Sequence, residues 1–143
     1  MHLFAYGSLL LPEVMRAVTG RTFRAQGAVL RGYAAFRLME APQAAILPFP
    51  DTATEGAVYF DVDEASLRCL DAFEGDVYAR QEVNVQTEDG AWVEAEAHVI
   101  RFKHRRLLSA KLWDEDEFRS KGLNQALKHA AESRKAGVEP QPS

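Results

Sequence analysis

The chain holds one cysteine, Cys69, among 143 residues, so no disulfide can close within it and a reducing, cytoplasmic setting is expected. It has no long hydrophobic run. No apolar stretch approaches the ~20 residues that a membrane span requires. The apolar start does not read as a secretion signal, because it lacks a positive flank, Gly7 interrupts it, and Pro12-Glu13 follow at once. Nor is there a surplus of positive charge. A formal net charge of −4 gives nucleic acid no basic face to bind. The one basic cluster, Arg101-Phe-Lys-His-Arg-Arg106, precedes the acidic Asp114-Glu-Asp-Glu117 and reads as a solvated turn of mixed charge. Internal repeats, linkers, a phosphate loop, a dinucleotide fingerprint and a Ser-His-Asp elbow are all missing; Gly7-Ser8 lacks the further glycines and the lysine.

What is present suits an ordinary globular protein, 47% apolar and 27% charged, long enough to bury a core without metal or disulfide staples. Leu3 to Tyr6 reads as a short buried strand, and Pro12 to Val18 as a helix with proline in its first turn and Gly20 past its end. Phe23 to Leu30 and Tyr33 to Leu38 read as strands broken at Arg31-Gly32. The stretch EAPQAAILPFPDTATEG carries three of the six prolines and is expected to be largely loop, before Gly56 to Val62 resumes as a strand.

Asp63 caps a helix in which Leu67, Leu70 and Phe73 share one side, with Glu74-Gly75 at its end. Cys69 falls in the same apolar pattern and reads as a small core residue. Two alternating segments follow. Val83 and Val85 lie on one face of the first, and Val93, Ala95, Ala97 and Val99 on one face of the second, joined by the hairpin signal Asp89-Gly90. A helix is expected over about 113–135, anchored by Phe118, Leu123 and Leu127, with 137–143 as a flexible tail. The whole reads as one α+β domain over 1–136, its broken strands curling into a small mixed β-barrel flanked by helices. Alternation leaves no obvious apolar strand face free for a partner, though it does not choose between a monomer and a homodimer; no membrane partner is expected, for want of a long apolar run.

Glu94, Glu96 and His98 share the other face of the second alternating segment, as any solvent-facing row would, and without a second histidine they make no metal site. The informative residue is Glu74. Helix carbonyl ends and apolar Phe73 both disfavour its charged form, so its pKa is expected to be raised, as suits general acid–base work near neutral pH. Arg80 is open to three readings: a partner of Glu74, a partner of a substrate carboxylate, or a strand residue on the solvated face.

Two segments together carry a resemblance. FAYGSLL near the start and LDAFEGDVYAR in the middle resemble the gamma-glutamylcyclotransferase-like family, with its YG[ST]L loop and LDxxEG…Y.R segment. AAILPFPDTATEGAVYFDV looks like the proline-bearing loop that leads into the strand before the family's catalytic helix, so the likeness spans Leu3 to Val85. It implies an enzyme releasing 5-oxoproline from a small gamma-glutamyl amine or peptide, by attack of the substrate's own α-amino group on its side-chain amide. It implies Glu74 as the proton-transfer group, Tyr6, Gly7, Ser8 and Leu9 as the loop holding the gamma-glutamyl head, and Tyr78 in the same pocket. No metal or cofactor is called for. The alternative is a ligand-binding or regulatory module on the same fold without turnover.

Overall fold

A computed structural model describes residues 1–138. β1 (Leu3–Ala5) runs into a 3-10 turn, Gly7–Leu10, and then α1 (Pro12–Thr19). Two long strands follow, β2 (Ala25–Leu38) and β3 (Ala44–Tyr59), then α2 (Glu64–Glu74). The hairpin of β4 (Tyr78–Thr87) and β5 (Trp92–Ile100) leads through a second 3-10 turn, Phe102–Leu107, to β6 (Leu108–Leu112). The short α3 (Glu115–Lys121) and α4 (Leu123–Val138) complete the described chain. No helix among the described residues is long and apolar enough to cross a membrane.

The first five strands close into a barrel. β2 pairs antiparallel with β3 and β4, β4 with β5, and β1 sits antiparallel to β3 and parallel to β5. β6 extends the β2 side. The small α+β barrel read from the sequence is therefore the observed architecture. β1 can be wholly apolar because both its faces are buried. Phe4 points into the barrel with Leu30, Ile46, Val58, Val85 and Val99, while Leu3 and Ala5 pack under the helices with Val14, Leu70, Phe73 and Phe118. Each fully buried Leu or Phe contributes about 1.5–3 kcal/mol, so this strand staples the barrel to its helical flank. The staple demands closeness: a Cβ on Gly56 of β3 would lie 2.2 Å from the carbonyl oxygen of Ala5.

Asp63 caps α2 as expected, its carboxylate accepting the Ser66 N–H at 3.1 Å, and Cys69 is buried in the helical core. Three expectations need correction. The proline-rich segment is a strand, not a loop. Its register with β2 jumps between Arg31↔Ala53 and Tyr33↔Pro48, so the irregularity is confined to an excursion around 49–52, with Asp51 at φ 63°. Pro48 and Pro50 are tolerated because one borders that excursion and the other lies within it, where the ladder is already interrupted. The break read at Arg31-Gly32 is the opposite side of the same bulge in a single strand.

Second, the C-terminal helix is two helices, parted at Gly122. α3 starts late because Asp114 caps it, accepting the Glu117 N–H at 3.0 Å. A Cβ on Gly122 would lie 2.6 Å from a Pro42 ring carbon, so glycine here lets the chain pass the 38–44 connection. α4 continues to Val138, two residues into the stretch read as tail, and the rest of that stretch lies outside the described residues. Third, His98 is not solvent-facing. The end of α2 covers it, leaving it 4% exposed with Nε2 3.0 Å from Asp71 Oδ1.

Candidate active site

Glu74 is the last residue of α2, and Gly75, at φ 81°, turns the chain sharply toward β4. The first residue of that strand, Tyr78, is thereby brought back beside the helix end. Its hydroxyl donates to the Ala44 carbonyl at 2.9 Å. From the other side, Tyr6 leaves β1 and donates its hydroxyl to the carbonyl of His98, while accepting the Ile46 N–H at 3.3 Å. Both phenols are thus anchored to backbone groups of β3 and β5.

Gly7 follows Tyr6 at φ 61°, and a Cβ on it would stand 3.0 Å from the Ala44 Cβ. Two independent constraints require glycine here: a left-handed backbone and contact with β3. No side chain caps the 3-10 turn that Gly7 opens, and Gly7, Ser8 and Leu9 are buried. The opening N–H groups of such a turn have no partner within it. The turn itself is held from outside, the Tyr59 hydroxyl donating to the Leu9 carbonyl at 3.1 Å.

Tyr6, Gly7 and Tyr78 therefore meet around Ala44, and the charge of Glu74 acts on both phenols. Glu74 is half-buried, with protein crowding its carboxyl. Burial pushes its pKa up, the imidazoles of His98 and His129 draw it down, and Asp71 adds to the rise. The two phenols are displaced too. Burial raises both Tyr6 and Tyr78, and the Glu74 carboxylate adds to each, which ties all three to one locality.

Arg80 does not pair with Glu74. Its Nε lies 2.8 Å from Asp71 Oδ1 and an outer nitrogen lies 2.7 Å from Glu96. Asp71, one turn before Glu74, thus absorbs both Arg80 and His98 and leaves the Glu74 carboxyl without an ion pair among the described residues.

Two hollows border the cluster. One, of about 530 Å³, lies between the 38–44 connection and the C-terminal helices, with Gln43, Gln125 and His129 on its walls. The other, of about 410 Å³, is lined by Asp71, Gly75, Tyr78, Arg80 and His98. Neighbours of Glu74 line both; neither is lined by Glu74 or Gly7 itself. The sequence reading had no signal for Ala44 and Ile46, which act through backbone groups, nor for His129, which α4 brings from far along the chain. The Nε2 of His129 is 2.9 Å from the Phe73 carbonyl, adjoining Glu74.

This chain is similar to known proteins over most of its length. Residues 3–115 match the family model described as gamma-glutamyl cyclotransferase, AIG2-like. Protein AIG2 C of Arabidopsis thaliana is 32% identical over 119 residues, covering 82% of this chain and 72% of that protein. A solution structure of an Arabidopsis thaliana protein superposes with a TM-score of 0.68 at 25% identity, over 98% of this chain and 94% of that one. A structure described as a gamma-glutamyl cyclotransferase superposes at a TM-score of 0.62 and 19% identity, over 99% and 89% of the two chains, which is a likeness of fold.

Proposed function

The chain belongs to the AIG2-like gamma-glutamyl cyclotransferase family, and we propose that it cyclises a small gamma-glutamyl amine or peptide to 5-oxoproline with Glu74 moving the proton. The observation that supports this reading is the meeting of Tyr6, Gly7 and Tyr78 around Ala44 with the Glu74 carboxyl acting on both phenols, that carboxyl unpaired among the described residues and its pKa raised.

The chemistry needs little beyond this. The substrate's α-amino group has a free pKa of ~8, so a fraction is neutral –NH2 near neutral pH and attacks in that form, shedding one further proton as it does so. Glu74, ionised, accepts it as the new C–N bond forms at the side-chain amide carbon. The same proton then passes to the leaving nitrogen as the old C–N bond breaks, giving 5-oxoproline and the free amine. Atoms and charge balance with one group serving both ways. The two ends of one molecule react, so positioning can supply much of the acceleration, up to the ~7–11 kcal/mol of a well-oriented intramolecular step.

In this reading Gly7, Ser8 and Leu9 hold the gamma-glutamyl head through backbone N–H groups, which can approach because residue 7 carries no side chain. Tyr6 and Tyr78 act as walls. Their hydroxyls are already committed to the His98 and Ala44 carbonyls, so shape and exclusion of water are their contribution. The test is a panel of gamma-glutamyl amino acids, glutathione and gamma-glutamyl-lysine amides, with 5-oxoproline as readout. The expected result is product from at least one compound with wild type and none with Glu74→Gln. Thermal stabilisation by these compounds with no product would replace the enzyme reading by a binding module.

A further inference from the structure

α4 lies beyond the 3–115 segment that the family model matches, yet it reaches the end of α2. Its His129 makes two contacts there. The ring packs on Phe73 with centroids 5.1 Å apart, and Nε2 lies 2.9 Å from the Phe73 carbonyl oxygen. A carbonyl can only accept, so Nε2 carries its hydrogen in both charge states and Nδ1 is the atom that gains or loses a proton. The bond also occupies one of the end carbonyls that a helix leaves without an internal partner, one residue before Glu74.

We propose that His129 is a positioning residue: bonded to the last turn of α2, its imidazole charge sets the pH range over which Glu74 can serve as a base. This rests on the reading of Glu74 as the proton-transfer group.

Of the two imidazoles that act on Glu74, His129 is the one with no carboxylate bonded to it among the described residues. Facing Glu74 are Tyr6 from the N-terminal turn, Asp71 from its own helix, Tyr78 from β4, His98 from β5 and His129 from α4. The phenols are neutral in the working range. His98 draws the Glu74 pKa down more than His129 does, but it is bonded to Asp71, 3.0 Å away. His129 faces a neutral carbonyl and makes no ion pair among the described residues; Lys128 and Glu132 of its own helix and Glu40 of the 38–44 connection share its hollow. A proton on His129 therefore reaches Glu74 without a direct counter-charge. Burial raises the Glu74 pKa and the two imidazoles pull it back. A protonated His129 thus keeps the carboxylate available.

Coupling of this kind is reciprocal, and it can be read without turnover. The experiment follows the ring Cε1–H resonance of His129 through a pH titration by NMR, in wild type and in Glu74→Gln. The resonance is assigned by its loss in His129→Gln, or in His129→Phe should the first variant fail to fold. Removing the negative neighbour is expected to lower the His129 midpoint by about 0.3–1 pH unit. Superimposable curves would overturn the proposal. The second arm is the pH profile of kcat/KM. In His129→Gln the acid limb should move up by a similar ~0.3–1 unit, because the carboxylate has lost a positive neighbour. A lowered plateau with an unmoved limb would mean that His129 only packs, and would also overturn it. A wild type that turned over no gamma-glutamyl compound would sink the functional reading, while the imidazole titration would still decide the coupling.

Discussion

The backbone at Gly7 runs so close to Ala44 that a side chain at position 7 would put its Cβ 3.0 Å from the Ala44 Cβ. This contact, between positions 37 apart in sequence, is what sets the N-terminal turn against β3 and next to Tyr78, whose hydroxyl bonds the Ala44 carbonyl. Gly7→Ala should therefore incur both a left-handed backbone at φ 61° and crowding against β3. We expect a loss of about 2–4 kcal/mol in urea unfolding. Adding Ala44→Gly should recover the crowding share and leave the backbone share. A Gly7→Ala protein as stable as wild type would contradict the geometry.

Glu74→Gln should be inactive and, at neutral pH, more stable. Burial raises the carboxyl's folded pKa above its unfolded value, so the folded state holds this proton more tightly. That contribution is fully present below the unfolded pKa of ~4.3 and is lost as pH rises through the folded value. Above that value the ionised carboxylate weighs against folding, and the amide does not. The variant should melt about 2–4 °C higher at pH 7.5, and the gap should close toward pH 4. Parallel melting curves across that range would mean that the carboxyl is not perturbed.

Tyr78→Phe separates wall from reagent. The hydroxyl bonds the Ala44 carbonyl at 2.9 Å, a buried pair whose loss should lower stability by about 1 kcal/mol. The ring stays in place, so kcat should remain within about tenfold of wild type, less than the 10²–10⁴-fold a proton-transfer group supplies. A drop of that larger size, at unchanged KM, would make Tyr78 a participant in the chemistry.

Asp71→Asn should show the opposite pH dependence from Glu74→Gln. Although burial opposes it, bonding to His98 and Arg80 holds the Asp71 pKa below the usual carboxylate range. The resulting stability is present above the unfolded pKa of ~3.9 and is lost as pH falls through the folded value. Asp71 is 43% exposed in its side chain, so solvent trims the effect to about 1 kcal/mol or less at pH 7. Differential melting at pH 7 and pH 3 checks it: the deficit of Asp71→Asn should shrink at the lower pH. Freed from Asp71, Arg80 should also keep its contact with Glu96, so a gain of function at Glu74 is not expected.

Local order was legible because it rests on local rules. The Asp63 cap, the Gly20 and Gly75 helix ends and the Asp89-Gly90 hairpin each depend on a few adjacent residues, and each is where the pattern places it. The proline-bearing segment was misread for a complementary reason. Proline removes a donor wherever it stands, but whether that donor was needed depends on the partner strand, and β2 happens to bulge at the same level. His98 likewise followed the strand alternation correctly, yet the end of α2 lies over that face and buries it.

From the sequence alone came the residue types that can do the chemistry and the local turns that hold them: a glycine after Tyr6, a carboxyl at a helix end, a tyrosine past Gly75. Only the tertiary structure decided that Tyr6, Gly7 and Tyr78 meet around Ala44, that Arg80 and His98 go to Asp71 and leave Glu74 unpaired among the described residues, and that His129 arrives from α4. The physical reason is range. Caps and turns are written in neighbouring residues, whereas the charge state of a buried carboxyl depends on every element packed around it.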